Sequence, residues 1–126
     1  MNDSRVVSPD LDVKTAQQFR EVVDALPPDR VKTATADYAV EDDVRTVVCD
    51  AGRRRVWTQA PRAAENIGRI LTFKRTDGGS ATVLIQAARG DKLEEYESLE
   101  LPTRNATVTI QAERAGHWRI LNQHTD

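Results

Sequence analysis

Gly116-His117-Trp118-Arg119-Ile120-Leu121-Asn122-Gln123-His124 is the stretch on which the fold turns. It has the pattern of a closing β-strand, because successive side chains of a strand point to opposite faces. One row is Trp118, Ile120, Asn122 and His124, and the other is His117, Arg119, Leu121 and Gln123. The first row starts apolar and ends polar. It predicts a strand that meets the core at Trp118 and lines a half-open pocket at Asn122.

The segments before it extend the sheet. Residues 99–112 read as a long strand with Pro102 at a bulge or edge. Its rows are Ala106, Val108, Ile110, Ala112 and Asn105, Thr107, Thr109, Gln111. The second row is uncharged, and suits either a solvated face or a sheet-to-sheet dimer surface. Residues 70–75 and 81–88 flank Thr76-Asp77-Gly78-Gly79-Ser80, a hairpin signal. Residues 44–49 are a β-branched strand, joined through Asp50-Ala51-Gly52 to a short strand over 53–58.

Helical periodicity occupies the remainder. Ser8-Pro9-Asp10 can start a helix, and Phe19, Val22, Val23 and Leu26 make its apolar stripe up to Pro27-Pro28. The spacing predicts helix over 9–26. Asp29 can cap a second helix, with Val31, Ala34, Thr35 and Tyr38 on one face. Ala60-Pro61 opens a third, whose apolar face is Ala63, Ala64, Ile67, Ile70 and Leu71. The expected organisation is a flexible N-terminal tail, residues 1–8, and one domain, residues 9–126. The expected class is α+β, with N-terminal helices packed in the concave face of a strongly curved, mainly antiparallel sheet.

Composition excludes several functions. Net charge is −2 and the pI about 5.7, so no nucleic-acid partner is expected. No run is long and apolar enough for a membrane span, and residues 1–7 lack the apolar region of a signal peptide. Cys49 is the single cysteine, which rules out an intrachain disulfide and fits a reducing, cytoplasmic setting. The only histidines, His117 and His124, fall on opposite rows of the closing strand, so no metal site and no cofactor are expected.

Candidate chemistry rests on a few side chains. Asn122 would orient a ligand carbonyl or hydroxyl, and His124 would carry a proton near neutral pH, unless the strand end is simply solvated. Tyr38 would donate a hydrogen bond to an oxyanion, or else sit in the core with its tip in water. Trp57, Trp118 and Asn66 would help line the pocket. For Trp57, a dimer contact and ordinary core packing are the alternatives. Arg53-Arg54-Arg55 alternates faces along a strand, which suits a charge-protected edge or an anionic partner.

Three stretches carry a resemblance to a known family. They are Asp37-Tyr38-Ala39-Val40-Glu41-Asp42-Asp43-Val44, residues 52–71, and Leu99-Glu100-Leu101-Pro102 through Gly116-His117-Trp118-Arg119-Ile120. In order and length the chain resembles the nuclear-transport-factor-2-like superfamily, a cone-shaped, cystatin-like roll. The resemblance implies a pocket inside the cone that binds a small apolar or polycyclic ligand. It also implies either metal-independent acid/base catalysis, of the isomerase, cyclase, dehydratase or hydrolase type, or a non-catalytic domain that dimerises or binds protein. By analogy with isomerase-like relatives, the resemblance makes Asp50 the general base, and it implies a homodimer formed through the sheet.

Overall fold

In a computed structural model that describes residues 30–125, the regular secondary structure of those residues is almost wholly strand. They are β1 (Arg30–Ala34), β2 (Tyr38–Ala39), β3 (Val44–Cys49), β4 (Val56–Gln59), β5 (Ile70–Arg75), β6 (Val83–Gln86), β7 (Lys92–Leu93), β8 (Ser98–Glu100), β9 (Thr107–Arg114) and β10 (His117–His124). Among the described residues, the one helical element is a single 3₁₀ turn, Ala63–Glu65. Residues 31–126 form one compact unit.

Successive strands alternate between two sheets. The larger has the order β1-β3-β5-β9-β10-β7 and the smaller β2-β4-β6-β8. From β1 to β6 the chain therefore coils, leaving one strand in each sheet per turn. Strands of successive turns run parallel: β3 with β5, β2 with β4, and β4 with β6. The antiparallel pair β9–β10 completes the larger sheet, and β8 pairs antiparallel to β6.

Alternation explains the packing. Val47, Cys49, Leu71, Phe73, Val108, Ile110 and Trp118 are buried from the larger sheet, and Val56, Val83 and Ile85 from the smaller. Thr58 is also buried, its hydroxyl donating to the Leu84 carbonyl at 3.1 Å. The indole Nε1 of Trp118 donates to the Pro61 carbonyl at 3.2 Å, so the largest buried ring keeps its polar tip satisfied.

The expected α+β cone is not the fold. Residues 30–34 are strand, where a second helix was expected, and Val31 stands 59% exposed. Val31 and Thr33 suit extended backbone. The expected third helix reduces to the 3₁₀ turn. It ends at Glu65 with Asn66 as its C-cap; beyond it Gly68 takes φ +87°, and the Gly68 N–H bonds across to the Ala112 carbonyl. Ile67 and Ile70 of the expected apolar stripe are 58% and 44% exposed. Residues 70–75 form the expected strand, but the hairpin after it is absent. Its two arms, β5 and β6, enter different sheets. Residues 99–112 divide into β8 and β9, with Pro102 between them. The expected tail and the helix over 9–26 lie outside the described residues.

The closing strand runs over His117–His124 as expected, with Trp118 inward, but its alternation is broken. Ile110 pairs with Ile120 while Thr109 pairs with Asn122, so Leu121 is an extra residue. Directly paired residues share a face. Asn122 and His124 therefore lie on the outer face with Thr109 and Thr107, not in the inward row of Trp118 and Ile120. The polar end of that row lines no interior pocket.

Candidate functional site

Two polar regions stand out, and they differ in how completely their hydrogen bonds are satisfied. The first surrounds Arg75. Alternation on β5 turns Arg75 inward next to Phe73, and its side chain is 2% exposed. Its Nε and Nη2 donate to the two Asp77 carboxylate oxygens at 3.1 and 3.0 Å. Nη1 donates to the Leu101 carbonyl, and Nη2 also to those of Gly79 and Ala81. Asp77 in turn accepts the backbone N–H groups of Ala51 and Gly79 at 2.8 and 2.9 Å. These bonds tie together three loops. The Arg75 hydrogen bonds, helped by those backbone donors, lower the Asp77 pKa from 3.8 to about 2, against the opposing effect of burial.

The second region is a groove of about 310 Å³ on the outer side of the smaller sheet. Asp37, Tyr38, Ala39, Trp57, Gln59 and Gln86 line it. Alternation on β4 puts Val56 and Thr58 inside and leaves Trp57 and Gln59 outside. Gln59 pairs with Gln86 across the parallel β4–β6 ladder, which sets the two carboxamides side by side. Neither carboxamide bonds to another described residue. Trp57 is half-buried, and its Nε1 is a buried donor with no hydrogen-bond acceptor among the described residues.

Charged groups of both signs border the groove, and Lys32 Nζ lies 5.4 Å from the Tyr38 ring centroid. The Arg55 guanidinium stacks over the Trp57 ring, 3.7 Å from its centroid. Arg55 Nη2 also lies 3.7 Å from Asp37 Oδ2, and Asp37 Oδ1 accepts the Trp57 N–H at 3.2 Å. The Tyr38 hydroxyl donates to Glu41 Oε1 at 3.0 Å. The groove therefore offers the Trp57 ring, one exposed ion pair and two carboxamides that bond to no other described residue.

Of the side chains expected from sequence, Tyr38 and Trp57 both border the groove, but Trp57 faces outward while Tyr38 pairs with buried Thr58 and packs against the core. The others are dispersed. Asp50 is exposed in a turn, where Oδ1 accepts the Gly52 N–H at 2.9 Å. Asn122 and His124 are exposed on the outer face of the larger sheet. Trp118 is core. Asn66 follows the 3₁₀ turn; its Nδ2 donates to the Arg62 carbonyl, and its Oδ1 accepts from Arg69. Arg69 reaches on to the Glu41 and Val44 carbonyls at 2.6 Å, and burial lowers its pKa.

Other titratable groups stand elsewhere. His117 Nε2 lies 3.2 Å from Glu113 Oε1 and 3.5 Å from Glu94 Oε1. Among the described residues, no group of three or more His, Cys, Asp or Glu side chains is arranged to hold a metal ion. Cys49 is fully buried, and burial pushes its thiol pKa up to about 12, so it is protonated and inert as a nucleophile. No described helix is long and apolar enough to cross a membrane.

Gln59 and Gln86 were absent from the sequence expectations, while Arg55 figured only in the Arg53-Arg54-Arg55 run and Asp37 only in a stretch of family resemblance. Part of the signal was local: Trp57 and Gln59 share a strand row, as do Leu84 and Gln86. The parallel pairing that joins these rows has no local signature. No family model matches the chain, and no curated protein matches it in sequence.

Proposed function

We propose that residues 30–125 act as a non-catalytic binding module whose working surface is the groove of Trp57, Gln59 and Gln86. The observation that carries this reading is the contrast between a filled interior and an unsatisfied surface. Leu71, Phe73, Ile85, Ile110 and Trp118 fill the space between the sheets, where an acid/base enzyme would need a water-excluding cavity. The strongly shifted groups point the same way. Cys49 and Asp77 move away from neutrality, opposite to the tuning a general acid or base needs. Carboxamides that bond to no other described residue are what a ligand would complete. The reduced, buried Cys49 supports a reducing compartment such as the cytoplasm as its setting.

Nuclear magnetic resonance tests the reading. Titrating small soluble compounds into isotope-labelled protein should move the Trp57 indole and the Gln59 and Gln86 side-chain signals together. Binding confined to other surfaces, or none, rejects it.

A second reading is favoured by the outer face of the larger sheet. Thr46, Thr72, Thr109 and Asn122 form one uncharged row across four strands, and the Thr72 and Thr109 hydroxyls share a hydrogen bond of 3.1 Å. Hydroxyls and carboxamides both donate and accept, so such a face can complement a second copy of itself. Light scattering decides this: a stable dimer supports it, and a monomer at high micromolar concentration removes it.

A further inference from the structure

We infer that Glu94 seals one margin of the larger sheet, and that what it keeps out is β10 of a second copy of this chain. The two margins of that sheet are protected differently. β1, at one side, carries Arg30 and Lys32, so a second copy brought against it would set like charges together. At the other side, β7 has only two residues, and they pair with His117 and Trp118. Among the described residues, no strand lies beyond the rest of β10 on that side. Its run Ile120-Leu121-Asn122-Gln123 carries no charge of its own.

Glu94 stands in for the missing strand. Its backbone N–H donates to the Trp118 carbonyl at 2.7 Å, which extends the parallel β7–β10 ladder by one bond. In a parallel ladder the same residue would next accept the Ile120 N–H through its own carbonyl. Here the backbone turns away at φ +55°, and the side chain supplies the acceptor instead: Oε2 takes the Ile120 N–H at 2.9 Å. Oε1 lies 3.5 Å from His117 Nε2. A glutamate keeps a left-handed backbone only where its surroundings hold it. The reciprocal backbone bonds between Leu93 and Tyr96, at 2.7 and 2.9 Å, close the turn that aims it.

The Ile120 N–H is where a new strand would begin to pair, because it and the Trp118 carbonyl both bond on the side away from β9. An antiparallel β10 from a second copy would meet the same uncharged run, and two-fold symmetry would form each hydrogen bond twice. With Glu94 in place, that strand would have to displace the carboxylate and bury its charge beside the new ladder. Without it, the donor and the margin are both open. Such pairing lengthens the sheet, whereas a dimer through the Thr46–Asn122 row stacks two faces.

The test compares the whole chain with Glu94→Ala, Glu94→Gly and Glu95→Ala. Hydrogen exchange reads the Ile120 amide and sedimentation velocity reads association. The indole resonance of Trp118, whose Nε1 is bonded to the Pro61 carbonyl, reads folding. Glu94→Ala should speed Ile120 exchange at least about tenfold in dilute protein, because a hydrogen bond to a charged acceptor is lost. At high micromolar concentration it should form a species of twice the parent's mass and regain protection at Ile120. Glu94→Gly carries the same expectation and relieves the left-handed backbone, so it stands in if the alanine variant loses the Trp118 signal. Glu95→Ala should sediment as the parent does. A parent-like mass for the folded Glu94 variants would overturn the inference. Association that leaves Ile120 unprotected would do the same, since the contact then lies elsewhere. Equal association of Glu95→Ala would also overturn it, by reducing the effect to lost negative charge.

Discussion

The Arg75 cluster and the Trp57 groove are opposite uses of polar side chains on the same strand framework. Around Arg75, the guanidinium and the Asp77 carboxylate are committed to one another or to backbone from three loops. Around Trp57, two carboxamides and a buried indole N–H have no hydrogen-bond partner among the described residues. A buried charge persists only when compensated, so the first arrangement reads as structure. Unspent hydrogen-bonding capacity at a concave surface reads as binding. Degree of satisfaction, and not polarity itself, separates scaffold from site.

The most severe way to break this contrast is Arg75→Met. It leaves the Asp77 charge without its main partner and three carbonyls without a donor, and should cost about 3–5 kcal/mol in urea unfolding. A loss below about 1 kcal/mol would show that the cluster is not a staple. Asp77→Asn, which keeps the side-chain shape, should cost about 1–3 kcal/mol.

Acid sharpens the same comparison. The folded-state pKa of Asp77 is depressed to about 2, so its ionisation stabilises the fold above the unfolded carboxylate pKa. That contribution should fade as the pH falls from about 4 towards 2, in the direction of proton uptake on unfolding. Unfolding curves of the parent and Asp77→Asn should converge across this window. Parallel curves would assign the acid sensitivity to other carboxylates.

Cys49 reports whether the interior opens. Its thiol is buried and protonated, so a thiol reagent at neutral pH should modify it only at the rate of unfolding. Arg75→Met should speed that reaction, and Gln59→Ala should leave it unchanged. The smallest effect belongs to the groove. Gln59→Ala and Gln86→Ala should alter unfolding stability by no more than about 0.5 kcal/mol, because no protein bond is lost.

How much of this was legible depended on the range of the cause. Strands 44–49 and 70–75 were readable because β-branched and alternating residues favour extended backbone wherever they lie. Trp118 was readable as core for the same reason. Helical stripes misled at residues 31–38 and 63–71, because short segments with apolar residues at mixed spacing fit two periods. Tyr38 and Trp57 were singled out as individual aromatics, but their bordering one groove was not. Gln59 and Gln86 gained their significance only from lying opposite each other on parallel strands.

The amino-acid order alone determined local backbone preference: which runs extend, where Gly68 and Pro102 interrupt them, and that a single cysteine forms no intrachain disulfide. Only the folded chain decided which sheet each strand joined, since parallel pairing links residues too distant for any local rule. It also decided the direction of Asn122. One extra residue, Leu121, inverts the strand's faces, and a bulge exists only relative to the partner strand it fails to match.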